Sequence, residues 1–343
     1  MRARRILAAA LILAGIAIAA VLGMAALKSL DEPLDVSTAI RFKVLPGSRF
    51  ARVAADLAER GVIAEPRVWV LYARWKGLAS SIKAGEYQIE SGATPRSLLE
   101  KMVTGQVLLH SFTIVDGWRV QDMLAAAKRN PDITATLPDS PQGLMDKLGS
   151  PGTDAEGQFL PETYRFPSGT TDLEVLKQAH AALVRELNSA WTSRDPSVPL
   201  QNADELLIVA SIIQKESGVP QELPKIAGLY LHRLRIGMRL QADPTVIYGL
   251  GDRYDGELHT VDLHTDGPYN TYTRAGLPPT PIALAGAPAI DAAAHPASTD
   301  ALYFVASPRD DGSHIFSATL DEQNAAVARY VAHLREKAAE ASK

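Results

Sequence analysis

The 343-residue chain contains no cysteine. That excludes disulfides, thiolate metal sites and a cysteine nucleophile. It leaves the compartment open, because exported proteins need not carry disulfides. There is no GxSxG elbow for a serine hydrolase and no HExxH-type spacing for a metal. Asp262, His264 and Asp266 alternate but match no such spacing, so no metal or other cofactor is called for. Past the N-terminus there is no basic block, and 35 Lys and Arg against 39 Asp and Glu leave a net charge of -4. Nucleic acid is therefore not an expected partner. Hydrophobic residues make up 46% of the chain, enough for a folded protein. The length suggests about two domains.

What is present begins with Arg2, Arg4 and Arg5, followed by an uncharged run from Ile6 to Leu27. As a helix this run would extend about 33 Å, enough to cross a bilayer core. Lys28, Asp31 and Glu32 follow. Positive charge on the N-terminal side predicts that residues 1–5 stay in the cytoplasm and that the rest is exported. A cleaved signal peptide and a buried core helix compete with this reading. The run is longer than the roughly 7–15 residues of a signal-peptide core and has no polar face. A retained single-pass anchor over 6–27 is expected.

After a polar linker, residues 38–106 read as a compact module of short elements. Ile40 to Val44 and Gly85 to Ile89 pattern as strands. Helices are expected from Phe50 to Arg60, capped by Ser48, from Arg67 to Lys76, and from Pro95 to Val103, capped by Thr94. Trp69, Tyr72 and Trp75 recur at helical spacing, which reads as core. Residues 107–340 form a longer unit. It holds a strand from Leu108 to Val115, a helix from Val120 to Arg129, and a long helix to about Trp191 capped by Asp172. Asp243 is expected to cap a short helix begun by Pro244. Two strands, Leu302 to Ala306 and His314 to Ala318, precede a last helix capped by Asp321. The stretch EGQFLPETYRFPSGT, from Glu156 to Thr170, is too rich in Pro and Gly for a long regular element.

The sharpest chemistry lies in NADELLIVASIIQKESG, residues 202–218. Asn202 and Glu205 have the spacing of a capping box. Leu206, Val209, Ala210 and Ile213 fall on one helical face. At about 100° per residue Glu216 lies within that apolar stripe, whereas Ser211, Gln214 and Lys215 are expected to face water. Burial and the negative end of the helix dipole both raise a carboxyl pKa, and a carboxylic acid protonated near neutral pH suits a general acid. The bland alternative is a half-solvated Glu at a frayed helix end.

SIIQKESG, RLRIGMRLQADPTVIYGLG, YNTYTRAGLPPTPIA, AAAHPA, LYFVA and HIFSATLDEQNAAV, with EGQFLPETYRFPSG upstream, follow one another in order. Together they resemble the endolytic murein transglycosylases, the YceG-like family. One departure is FTIVDGW, where Val115-Asp116 replaces the usual Pro-Glu, and Asp116 is assigned no role. The resemblance implies an α+β architecture: an N-terminal transmembrane helix, a small LysM-like α+β module at 38–106 and a larger mixed α+β catalytic domain at 107–340. LysM modules bind glycan, and this one is either a glycan reader or a spacer. The resemblance also implies an inner-membrane enzyme acting on periplasmic peptidoglycan, with peptidoglycan synthases as partners. It would cut the β-1,4 bond between N-acetylmuramic acid and N-acetylglucosamine inside nascent strands, leaving 1,6-anhydro ends.

The family's catalytic Glu maps onto Glu216, and its cleft residues onto Gln241, Asn270 and Tyr272, with Ser217 beside them. Each of these four either binds substrate or holds the local backbone. Arg233, Arg235 and Arg239 either attract substrate carboxylates or form a solvated stripe. Two other functions fit the same residues. One is a hydrolytic muramidase with Glu156, Glu162 or Asp243 as a second acid. The other is a non-catalytic glycan-binding scaffold.

Overall fold

The computed structural model describes residues 2–138 and 140–341. Met1, part of the segment 1–5 expected in the cytoplasm, lies outside the described residues. The chain divides into two units: Met1–His110 with Arg165–Gly169, and Ser111–Tyr164 with Thr170–Lys343.

The first unit starts with helix α1 (Arg2–Ser29), whose stretch Ala10–Ser29 is long and apolar enough to cross a membrane by length and composition. Strand β1 (Ile40–Val44) precedes helices α2 (Phe50–Glu59) and α3 (Pro66–Trp75), and strand β2 (Gly85–Ile89) precedes α4 (Pro95–Thr104). β1 and β2 pair antiparallel with Phe42 opposite Tyr87. The inward residues of the sheet meet Phe50, Leu57, Trp69, Leu98, Leu99 and Met102 in one core. Trp69 packs edge-on against Phe50 at 4.6 Å between ring centres, and its indole N–H donates to Pro95 C=O at 2.7 Å. Burying both the ring and its one polar atom satisfactorily makes Trp69 the centre of this unit.

Trp75 departs from the core reading: it is 71% exposed. Three helical residues turn back to within about 60° of the start, but six leave the side chain about 120° away. Spacing of three therefore places Tyr72 beside Trp69 and carries Trp75 out to the surface. Ser48 does not cap α2: the cap position is Arg49, which makes no side-chain cap bond. Thr94 does cap α4, accepting from Ser97 N–H at 3.1 Å.

Strand β3 (Leu109–Thr113) follows, then, in the second unit, helices α5 (Val120–Arg129) and α6 (Leu144–Leu148); strand β4 (Thr163–Pro167) leads to the long α7 (Asp172–Ser193) of the second unit. β3 and β4 form a two-stranded sheet. Helices α8 (Ala203–Glu216), α9 (Leu223–Arg235), α10 (Asp243–Leu250), α11 (Thr260–His264) and α12 (Ala287–Ala294) follow. The chain ends with hairpin β5 (Tyr303–Ala306) and β6 (His314–Ser317), paired antiparallel, and helix α13 (Leu320–Ala341).

α8 is the centre of this unit, packed by α7, α9, α10 and α12. Its residues 206–213 are all buried. This corrects the expectation that Ser211 faces water. Ser211 is fully buried; its hydroxyl donates to Ile208 C=O at 2.7 Å and accepts from Ile282 N–H at 3.0 Å. A one-sided apolar stripe describes a helix covered on one face, and α8 is covered all round. α12 approaches it closely because Ala289, Ala292, Ala293 and Ala294 present little side chain.

The cap of α7 is Thr171 rather than Asp172. Thr171 Oγ1 accepts from Glu174 N–H at 3.2 Å, and Glu174 accepts from Thr171 N–H at 2.8 Å. The Asp172 carboxylate instead gathers Thr136 N–H and Leu137 N–H. Asp243 makes no cap bond at α10, where the cap position is Ala242. At α13, Thr319 Oγ1 accepts from Glu322 N–H at 3.3 Å, the cap role expected of Asp321.

Candidate active site

α8 delivers Glu216 as its last residue. Asn202 caps the other end, accepting from Glu205 N–H at 2.9 Å, while the Glu205 carboxylate reaches Gln201 N–H rather than closing on Asn202. At Ser217 the chain turns to extended backbone, so Glu216 projects where the helix stops. Its carboxyl opens into a cleft of about 260 Å³ lined by Glu216, Tyr230, Arg233, Gln241, Asp243, Tyr272, Tyr303, Phe304 and Gln323.

The Glu216 side chain is half-buried, and loss of hydration pushes its pKa up to about 7. The Tyr230 hydroxyl donates to Glu216 Oε1 and opposes that rise, as does the charge of Arg233, while the charge of Asp243 adds to it. Tyr230 is itself buried, and burial raises its own pKa well above the usual phenol value. It therefore stays a donor. A carboxyl at this poise is protonated about half the time near neutral pH, and can give a proton and take one back.

Opposite Glu216, the segment 239–245 is stitched to residues 270–272. Gln241 N–H donates to Thr271 C=O at 3.1 Å, Ala242 N–H to Thr271 Oγ1 at 3.0 Å, and the Arg239 guanidinium to Tyr272 C=O at 2.6 Å. This holds Gln241 at a left-handed φ of 50°, a conformation that costs a non-glycine residue roughly 1–2 kcal/mol. The surrounding bonds offset that cost, and the Gln241 side chain lines the cleft. The Tyr272 hydroxyl donates to Asp243 Oδ1, which fixes both at the cleft wall.

The structure thus brings Glu216, Gln241 and Tyr272 together and keeps Asn270 and Ser217 out of the cleft lining. Asn270 is buried. Its amide donates to Asp262, Leu263 and Thr265 carbonyls, and its Oδ1 accepts from Tyr272 and Thr273 N–H. It builds the loop that presents Tyr272. Ser217 Oγ accepts from Val219 N–H at 3.0 Å and shapes the turn after α8.

The three arginines are also tied to backbone. Arg233 donates to Leu302 and Leu240 carbonyls, Arg235 to Ser197 C=O and Arg239 to Tyr272 C=O. Only Arg233 lines the cleft. Of the possible second acids, Asp243 stands in the cleft and Glu162 is exposed. Glu156 is buried elsewhere, accepting from Val120 N–H at 3.1 Å, with its pKa raised by burial to about 7.

Tyr230, Tyr303, Phe304 and Gln323 were not among the site residues expected from sequence. Tyr230 sits in the apolar stripe of α9 and reads as core. A tyrosine among leucines there is a signal only because its hydroxyl needs a buried partner. Phe304 meets the Tyr230 ring edge-on at 6.3 Å, and Gln323 donates to Phe304 C=O at 3.0 Å, so the hairpin and α13 complete the wall behind Glu216.

The chain belongs to the YceG-like family, whose sequence model matches residues 42–329. A relative in Bacillus subtilis (strain 168), named endolytic murein transglycosylase, is 31% identical over 90% of this chain and 90% of its own length. A relative of the same name in Streptococcus pneumoniae serotype 2 (strain D39 / NCTC 7466) is 24% identical over 87% of this chain, which spans 60% of that longer protein. The crystal structure of a YceG-like protein from Listeria monocytogenes, 26% identical, covers 84% of this chain and 99% of its own, with a TM-score of 0.49.

Proposed function

We propose that this protein is an endolytic peptidoglycan lytic transglycosylase in which Glu216 serves as both acid and base. The observation that carries this reading is the Glu216 carboxyl, poised at about 7 in a cleft and held by Tyr230. The names of the relatives supply the substrate class. Glu216 gives its proton to the glycosidic oxygen of a β-1,4 bond between N-acetylmuramic acid and N-acetylglucosamine as the C1–O bond breaks. The carboxylate so formed keeps the Tyr230 hydrogen bond. It then takes the proton of the muramyl C6 hydroxyl as that oxygen attacks C1, closing the 1,6-anhydro ring. No water is consumed, so no second carboxylate is needed to position one. The nucleophile belongs to the substrate, which supplies a large proximity advantage. Gln241 and Tyr272 are placed to hold the sugar. Acting within nascent strands, the enzyme would end their elongation in the periplasm, next to the synthases, from a single-pass anchor with its N-terminus in the cytoplasm. Residues 38–106 would serve as a LysM-like module, reading glycan or spacing the second unit from the membrane.

Asp243 in the same cleft is the one observation that favours a two-carboxylate hydrolase instead. Purified sacculi digested with the full chain in detergent separate the readings by mass spectrometry of the new ends. Ends lighter by one water are expected; reducing ends would establish hydrolysis. Glu216→Gln should abolish cleavage with the fold intact, by roughly a thousandfold or more if proton transfer is lost at both steps. Wild-type cleavage by that variant would remove Glu216 from its role.

A further inference from the structure

The chain leaves α1 without a flexible tether. Leu30, the residue after α1, is buried in the first unit's core, and its C=O accepts from Arg96 N–H at 3.1 Å. Asp31 takes two bonds from the Arg96 guanidinium, at 2.6 and 3.0 Å. Arg96 also lies over the Tyr72 ring at 4.8 Å and bonds its hydroxyl. Tyr72 belongs to α3, and Trp75 is its neighbour at 6.3 Å between ring centres. The end of the apolar span is therefore clamped to Arg96 of α4, and through Arg96 to Tyr72 of α3.

α3 presents an unusual outer face. Leu71 is 68% exposed and Trp75 71%, one turn apart. Arg67, Arg74 and Lys76 are exposed around them, and Lys76 Nζ lies over the Trp75 ring at 4.7 Å. Leu45, 60% exposed, borders one groove with Val70 and Arg74. From Pro66 to Gly85 the sequence has Arg67, Arg74, Lys76 and Lys83 and no acidic residue. In water this face is poorly matched, with two large apolar side chains inside a ring of cations that make no ion pair among the described residues. At a membrane interface each part has a partner: Trp and Leu enter the headgroup–acyl boundary, and Lys and Arg meet anionic headgroups.

We propose that the outer face of α3, centred on Leu71 and Trp75 and ringed by Arg67, Arg74 and Lys76, docks on the anionic surface of the membrane that α1 crosses. The clamp through Asp31, Arg96 and Tyr72 sets the orientation of that face. The anchor is then a two-point attachment: the span fixes the chain in the bilayer, and α3 fixes the first unit against it. The proposal rests on α1 as an anchor and is independent of the reaction assigned to Glu216.

The absence of cysteine makes a single reporter unambiguous. The full-length Leu71→Cys chain, spin-labelled and reconstituted in vesicles of phosphatidylcholine with phosphatidylglycerol, should be relaxed several-fold more by oxygen than by a water-soluble nickel complex. Leu71 is exposed, so the label does not test folding. Charge reversal at Arg67, Arg74 and Lys76, or vesicles of phosphatidylcholine alone, should return the label to water-like access. Water-like access in anionic vesicles overturns the proposal. So does shielding of the label by soluble glycan strands without any effect of lipid, which would assign the face to sugar. Flotation of the same samples with the vesicles reports α1 separately; a chain that does not float overturns the anchor reading and the docking together.

Discussion

Burial raises the proton affinity of Glu216, and the Tyr230 hydroxyl lowers it by favouring the carboxylate. If Glu216 must start protonated, activity falls as pH rises through about 7. Tyr230→Phe removes only the opposing contribution, so the pKa should rise and the alkaline limb should move up by roughly half to one pH unit. The same change weakens the carboxylate formed after proton donation, and the maximal rate should fall about tenfold. A pH–rate profile of the variant checks both; a purely packing role for Tyr230 would leave the limb in place. Stability gives a second reading of the same group. Folded, Glu216 and Glu156 hold a proton up to about 7, whereas an unperturbed carboxyl releases it near 4.5. Between those values the folded chain binds more protons, so stability is full below about 4.5 and is lost as pH rises through about 7. Glu216→Gln removes one of the two losses. Its unfolding midpoint should exceed that of the wild type at about pH 8 and match it at about pH 4, measured by thermal melts.

Helix α9 carries Tyr230 and Arg233 to the cleft, and its seating depends on Gly228. A Cβ there would lie 2.2 Å from Ala297 C=O and 3.0 Å from the Thr299 side chain. Gly→Ala inside a helix ordinarily gains about 1 kcal/mol. Overpacking against backbone costs typically 1–3 kcal/mol, and here the obstacle is a carbonyl that cannot swing aside. Gly228→Ala should therefore lose roughly 1–2 kcal/mol in urea unfolding and reduce cleavage by displacing Tyr230. This close approach was not readable from the sequence, where Gly228 is one small residue in an apolar stripe. The elements themselves were more legible. β2 and α5 fall at the boundaries that alternation and helical period give, because each is half-covered and its pattern reports its one buried face. α8 shows the limit: covered on all sides, it has no polar face to read, so Ser211 was placed in water. Thr171 and Asp172 can both cap, and the choice between them is made by Thr136 and Leu137, distant in sequence. Glu216 stood out as a carboxylate inside an apolar stripe, but that pattern also left a half-solvated helix end open, and its assignment as the acid came from the family resemblance. Asn270 could not be told from Tyr272, since a motif preserves the residues that build a loop along with those that the loop presents.

At the scale of the whole molecule, the segment after α1 belongs to the first unit's fold. Leu30, Leu34 and Val36 are 1%, 7% and 7% exposed and join the cluster around Trp69. Leu34 N–H donates to Ala93 C=O at 2.7 Å, so backbone as well as side chains is engaged. A soluble chain starting at Leu30 keeps all of these contacts and should hold the first unit folded. A chain starting at Ser37 loses three buried apolar side chains at about 1.5–3 kcal/mol each, roughly 4–9 kcal/mol together. That matches the whole stability of a typical domain, about 5–15 kcal/mol. The longer chain should therefore show a cooperative unfolding transition with Trp69 buried at the start, and the shorter one should show Trp69 already solvated in buffer, followed by tryptophan emission against urea in chains where Trp75, Trp118 and Trp191 are replaced by Phe. Because α8, α9 and the cleft lie wholly in the second unit, the shorter chain should still release anhydro ends from soluble glycan if the chemistry is carried by Glu216 and its neighbours alone. Loss of cleavage together with Trp69 burial would instead tie the second unit's function to the first. A Ser37 chain that retains a buried Trp69 would show that the residues after the span are a linker, with the core closed by β1, β2 and the three helices without them.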